Sequence, residues 1–144
     1  MVPKINLLLP VEKALEIGND PYCDGLTLSN TIPWDDLVKF GIDRGKIFGI
    51  KYKNLSPLID RGFKQAGGYS GQYMFPRVAQ YVRDLRKLGF VKHINAGGGI
   101  LSPVDVGVLH IAGVDSVSIG SVAFLRPWRM RSIIRETYFL KEKA

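Results

Sequence analysis

The pattern of apolar and polar positions is clearest between His93 and Ala123. It predicts a strand, a glycine turn, a helix, a second strand and a second turn. His93 to Ala96 is short and mostly apolar, and Gly97, Gly98 and Gly99 stop it. Ser102 then supplies a cap, Pro103 suits the first helical turn, and Asp105 completes a capping-box-like pair. Val104, Val108, Leu109, Ile111 and Ala112 form the predicted apolar face, and Gly113 ends the helix. Val114 to Ile119 is a β-branched run broken at Gly120-Ser121. Two parallel strands joined by a helix make a right-handed crossover, so both strands end on the same side.

The rest of the chain repeats this grammar more loosely. Met1 to Leu9 reads as the end of a strand running into a loop, and Pro10 opens a short helix to about Gly18. Asp24 to Ser29 is a second strand, ending at Asn30-Thr31. Residues 32–66 show no long helical period, and Lys46 to Tyr52 suits a strand in a small inserted hairpin. A connection of that length is typically a lid or substrate loop. After Gly67-Gly68-Tyr69-Ser70-Gly71, the residues Phe75, Val78, Val82, Leu85 and Leu88 mark one face of a strong helix that Gly89 ends. A last amphipathic helix is expected from about Pro127 to Lys141. The order β-α-β-(insert)-α-β-α-β-α predicts a parallel α/β sheet, with no visible domain boundary or repeat.

Composition changes this picture little. The 144 residues are 46% hydrophobic, enough for one core. Met1 to Lys4 does not open a signal peptide and Leu7 to Leu9 is too short to span a bilayer, so a cytoplasmic protein is expected. The single cysteine, Cys23, excludes an internal disulfide and a cysteine-based metal cluster. A net charge of +7 suits an anionic ligand. The basic residues are scattered except for Arg126, Arg129, Arg131 and Arg135. Those read as the solvated face of a helix whose other face carries Met130, Ile133, Ile134 and Tyr138, not as a nucleic-acid groove.

Candidate chemistry sits at the glycine turns. Backbone N–H groups with no Cβ in the way can face an anion. A phosphate held between the last two strand ends of a (β/α)8 barrel, beside a short extra helix, is a recurrent arrangement. Gly98-Gly99 and Gly120-Ser121 fit those ends, and Val122 to Leu125 fits the extra helix. The alternative is that the glycines simply make tight turns.

Five motifs in order, Lys4-Ile5-Asn6, Ser29-Asn30-Thr31, Gly68-Tyr69-Ser70-Gly71, Gly98-Gly99-Ile100 and Ile119-Gly120-Ser121, give the chain a resemblance to the dihydroorotate dehydrogenases. That family is an FMN-dependent (β/α)8 (TIM) barrel of pyrimidine biosynthesis. The likeness implies that this chain is the C-terminal half, strands five to eight, with an insert at about 32–66. It implies that Lys4 lies by the flavin pyrimidine ring, where a cation stabilises the reduced flavin. Leu7 is a second possible match there, but Lys4 better fits the distance to Asn30. Asn30 and Thr31 would hold dihydroorotate or orotate, and Ser29 would touch the flavin. Ser70 and Gly71 match the family's Ser-Gly turn, while Gly98, Gly99, Gly120 and Ser121 match its phosphate cradle. Structural alternatives are a strand-end turn at Asn30-Thr31 and a helix cap at Ser70. On this reading Gly99→Val should weaken FMN binding without unfolding the domain.

The chain also departs from the family. The insert opening Ile32-Pro33-Trp34 is variant, and strands one to four are missing together with the loop carrying the catalytic serine or cysteine. Cys23 precedes a strand and so falls at the opposite end of the barrel from the chemistry. A full barrel takes about 250 residues, so a gene fragment, or a half-barrel needing its missing N-terminal half or a second copy, is expected. Three readings follow: a flavin-dependent oxidoreductase acting on dihydroorotate or a related dihydropyrimidine, a non-redox phosphate-binding barrel enzyme, and a non-catalytic half-barrel binding module. No metal is implied by any of them.

Overall fold

A computed structural model describes residues 1–29 and 31–142. In chain order the elements begin with β1 (Lys4–Ile5), α1 (Val11–Asn19), β2 (Gly25–Leu28) and β3 (Ile32–Pro33). Next come α2 (Arg44–Phe48), α3 (Pro57–Asp60), β4 (Gly68–Tyr69) and α4 (Phe75–Lys87). The chain closes with β5 (His93–Gly97), α5 (Pro103–Ala112), β6 (Ser116–Ser118), α6 (Ser121–Leu125) and α7 (Met130–Glu142). They fall into two compact units, one of Met1–Asn30 with Ser70–Ala144 and one of Thr31–Tyr69.

In the first unit, β1, β2, β5 and β6 form a parallel sheet in that order. The strand order never reverses. Successive right-handed crossovers therefore place their helices in a row on one face of the sheet. Accordingly α1 packs on α4, α4 on α5 and α5 on α7. The sheet face they cover carries Ile5, Leu26, Leu28, Ile94 and Ala96, all buried, against Val78, Val82, Leu85 and Leu109. The capping box at Ser102 and Asp105 forms as its spacing requires, and Gly113 ends α5 in the left-handed region.

Two predicted faces are corrected. On α5, Val104 is 73% and Ile111 84% exposed, whereas Val106, Leu109 and Ala112 are buried. This helix is apolar nearly all round, so composition cannot choose between its stripes, and packing against α4 and α7 does. On α7 only Ile133 of the expected apolar face is buried, while Ile134 and Tyr138 are exposed. Leu88 also turns outward, because α4 stops at Lys87 and Leu88 begins its closing turn.

In the second unit, β3 and β4 pair antiparallel, with Ile32 opposite Tyr69 and Pro33 opposite Gly68. They close the insert at its base. Ile32, Trp34, Leu37 and Ile42 are buried in it, and Phe48 packs by its ring on Trp34 and Tyr69. The strand expected over Lys46 to Tyr52 is instead helix α2 followed by a single 3-10 turn, Ile50–Tyr52. Asp43 accepts a hydrogen bond from the Lys46 N–H at 3.1 Å, which starts a helix, and Gly49 at φ 98° stops it.

Candidate functional site

The carboxyl ends of β2, β5 and β6 are level with one another. Leu28 lies opposite Ala96, Ala96 opposite Val117, and Gly97 opposite Ser118. The turns that follow therefore meet at one end of the sheet. Ser29 Oγ donates to the Gly97 carbonyl oxygen at 3.2 Å, tying the first turn to the second. The Ser70 and Ser121 hydroxyls are 3.3 Å apart, tying the segment before α4 to the start of α6.

The glycines in these turns have different reasons to be glycine. Gly98 and Gly99 sit at φ 108° and 81°, a region closed to most residues. A Cβ on Gly99 would also lie 2.6 Å from the Gly71 carbonyl oxygen and 3.0 Å from Phe75 Cβ. This corrects the expectation that Gly99→Val would leave the fold intact, because backbone packing already requires the bare position. Gly120 is the opposite case. Its φ is −136°, and a Cβ there would meet nothing within 4 Å. Bareness at Gly120 leaves open space beside Ser121, the first residue of α6.

Ser29, Ser70, Gly71, Gly98, Gly99, Gly120 and Ser121 are thus brought together. Lys4 is exposed on β1 opposite Thr27, one same-face step short of Ser29 along the sheet. Leu7, the other match considered, is buried in the core. Thr31 opens the second unit, where a Cβ on Gly68 would lie 2.8 Å from Thr31 Cβ. Asn30 lies outside the described residues.

Sequence reasoning missed the sheet face that looks away from the helices. Lys4, Thr27, Asn95 and Ser116 share one row of it. Asn95 Nδ2 donates to Ser116 Oγ at 2.8 Å, Ser118 Oγ donates to Asn95 Oδ1 at 2.6 Å, and His93 Nε2 lies 2.8 Å from Ser116 Oγ. Polar residues at every second position, Thr27 and Ser29, His93 and Asn95, Ser116 and Ser118, were the available signal. A polar face on a parallel sheet is unusual in a packed core and marks a surface able to meet polar groups.

Away from the turns, Cys23 is buried ahead of β2, with Sγ donating to the Gly25 carbonyl at 3.1 Å. Tyr81 donates to the Leu9 carbonyl at 2.8 Å, and burial, helped by the negative charge of Glu12, pushes its phenol up to about 12. A cavity of about 400 Å³ opens beside the start of β6, lined by Val106, His110, Val114 and Leu140 among others. It lies at the opposite end of that strand from Gly120. Among the described residues no set of three His, Cys, Asp or Glu is placed to hold a metal ion. No helix among them is long and apolar enough to cross a membrane.

No family model matches the chain. It is 27% identical over 134 residues to a dihydroorotate dehydrogenase A (fumarate) of Lactiplantibacillus plantarum, covering 93% of this chain and 37% of that protein. It is 28% identical over 134 residues to the catalytic subunit of a dihydroorotate dehydrogenase B (NAD(+)) of Listeria monocytogenes, covering 93% and 38%. This chain is a homologue of the dihydroorotate dehydrogenases. Among solved structures, a ligand-free DHODH of Eimeria tenella superposes with a TM-score of 0.67 at 22% identity, covering 99% of this chain and 36% of that one. The same organism's DHODH in complex with ferulenol gives 0.65 at 22% identity, covering 94% and 32%. These likenesses show a shared α/β fold, and the chain spans a little over a third of the length of the curated dihydroorotate dehydrogenases it matches.

Proposed function

We propose that this chain supplies strands five to eight of a dihydroorotate dehydrogenase-like (β/α)8 barrel and is its FMN-holding part, in a cytoplasmic oxidoreductase of pyrimidine biosynthesis. The observation that carries this reading is the meeting of the Ser29, Ser70-Gly71, Gly98-Gly99 and Gly120-Ser121 turns at one end of a parallel sheet. The open space at Gly120 lies beside the Ser121 and Ser70 hydroxyls, which are donors a phosphate could use. FMN, when bound, supplies the hydride acceptor for converting dihydroorotate to orotate.

The chain's own residues orient and stabilise. Gly98, Gly99, Gly120 and Ser121 hold the phosphate, while Ser29, Ser70 and Gly71 line the flavin. Lys4 on the polar sheet face offers a positive charge to the flavin pyrimidine ring. Asn30 and Thr31 hold the pyrimidine through an amide and a hydroxyl. The proton-removing serine or cysteine of the family has no counterpart among these residues, so catalysis calls for strands one to four from elsewhere. A non-redox phosphate-binding barrel enzyme would share the two glycine turns. It gives no reason for Ser29 and Ser70-Gly71 to join them.

The test is reconstitution. The 144-residue chain should oxidise dihydroorotate at background rate with FMN and an artificial electron acceptor. Co-expression with strands one to four of a related full-length enzyme should restore turnover, with flavin bound in the assembly. A reconstituted, folded assembly that carries no flavin would sink the proposal.

A further inference from the structure

The second unit contains a cavity of about 460 Å³, lined by Val38, Ile42, Asp43, Arg44, Lys53 and Asn54. Every one of these residues lies within 31–69, so the cavity belongs to the insert alone. The Arg44 guanidinium lies over the buried Trp34 ring, its Cζ 5.1 Å from the ring centroid. Its Nε is buried with no hydrogen-bond partner. Among the described residues neither Arg44 nor Lys53 forms an ion pair, whereas Lys39 and Lys51 in the same unit are each paired, to Asp36 and Asp60, at 2.6 Å. The one acid on the cavity wall, Asp43, is engaged in capping α2. Lys53 borders the same wall: a Cβ on Gly45 would stand 3.8 Å from Lys53 Cβ and 3.3 Å from Asp43 Oδ1.

A guanidinium carries paired N–H donors whose spacing matches the two oxygens of a carboxylate or phosphate. Arg44 is half-buried and, among the described residues, without an acidic partner, so an incoming oxyanion meets an unpaired and partly shielded charge. Val38 and Ile42 meanwhile offer apolar surface to the body of a ligand. We infer that the insert is a binding site for a small organic anion, its carboxylate or phosphate head held by Arg44 and Lys53 and its apolar body against Val38 and Ile42. This inference is independent of the flavin site and stands or falls without it.

Trp34 reports directly on the site. In the 144-residue chain carrying Trp128→Phe, which removes the only other tryptophan, Trp34 emission is followed while benzoate or inorganic phosphate is added at constant ionic strength. Calorimetry is run in parallel. At least one anion should give a saturable change with a Kd of about 1 mM. Saturation by benzoate identifies carboxylate chemistry, saturation by phosphate identifies phosphoryl chemistry, and either supports the site. Arg44→Gln should raise the Kd at least about tenfold and Lys53→Gln about threefold. Lys53 is not stacked on Trp34, so Lys53→Gln carries the comparison if Arg44→Gln disturbs the fold by circular dichroism. No saturable signal by either method below about 50 mM, or parental affinity in the folded variants, overturns the inference.

Discussion

Gly99 and Gly120 should respond to substitution in opposite ways. Gly99 sits at φ 81°, which costs a non-glycine residue about 1–2 kcal/mol. A Cβ there lies 2.6 Å from the Gly71 carbonyl oxygen, and moving rigid backbone to relieve such an overlap adds about 1–3 kcal/mol. Gly99→Ala is therefore expected to lose about 2–5 kcal/mol, a large share of the ~5–15 kcal/mol that holds a domain folded. Its melting temperature should drop by roughly 10 °C. Gly120→Val places its Cβ where nothing lies within 4 Å, at a helix start of negative φ, so it should cost less than Gly99→Ala, about 1 kcal/mol. If the space at Gly120 takes a phosphate, the same substitution should raise the Kd for FMN at least about tenfold, or ~1.4 kcal/mol. Thermal melts and quenching of FMN fluorescence read the two effects separately. A Gly120→Val chain that is folded and binds FMN like its parent would place the phosphate elsewhere. A Gly99→Ala chain that melts like its parent would refute the packing argument.

Three further outcomes are expected. Asn30→Ala should weaken orotate binding by roughly 1–3 kcal/mol and leave FMN affinity nearly unchanged; equal loss of both in titrations would assign Asn30 to local structure instead. Tyr81, raised to about 12 by burial, binds its proton more tightly folded than unfolded, so its contribution is complete below pH ~10 and is lost as pH rises from there to ~12. Urea midpoints across that window should fall more steeply for the parent than for Tyr81→Phe, and parallel curves would contradict this. Arg86 donates to the Gly113, Phe90 and Lys92 carbonyls at 2.9, 2.7 and 2.9 Å and to Asp115 at 2.7 Å. With water able to replace part of that set, Arg86→Met should cost roughly 2–4 kcal/mol of unfolding free energy, and a loss under ~0.5 kcal/mol would show the cluster to be incidental.

What the sequence determined by itself were the features written in neighbouring residues. Ser102, Pro103, Asp105 and Gly113 bracket α5 because caps and left-handed stops act over a few bonds. The order of apolar strands and helices dictated a parallel sheet, since short crossovers leave few alternatives. The motifs around Ser29, Ser70, Gly98 and Gly120 were legible as a set only through the ordered resemblance to the dihydroorotate dehydrogenases. Only the tertiary structure decided between choices that neighbouring residues leave equal. It selected Val106, Leu109 and Ala112 over Val104 and Ile111 as the buried stripe of α5, because a helix apolar all round is oriented by what packs on it. Helix α2 replaced an expected strand once Asp43 capped it and Phe48 found Trp34 and Tyr69. Only in three dimensions did the reasons for two like glycines part. Gly99 is bare because Gly71, 28 positions away, presses against it, whereas a Cβ at Gly120 would meet nothing within 4 Å. Contacts between distant positions have no local signature, because they exist only once the chain has folded.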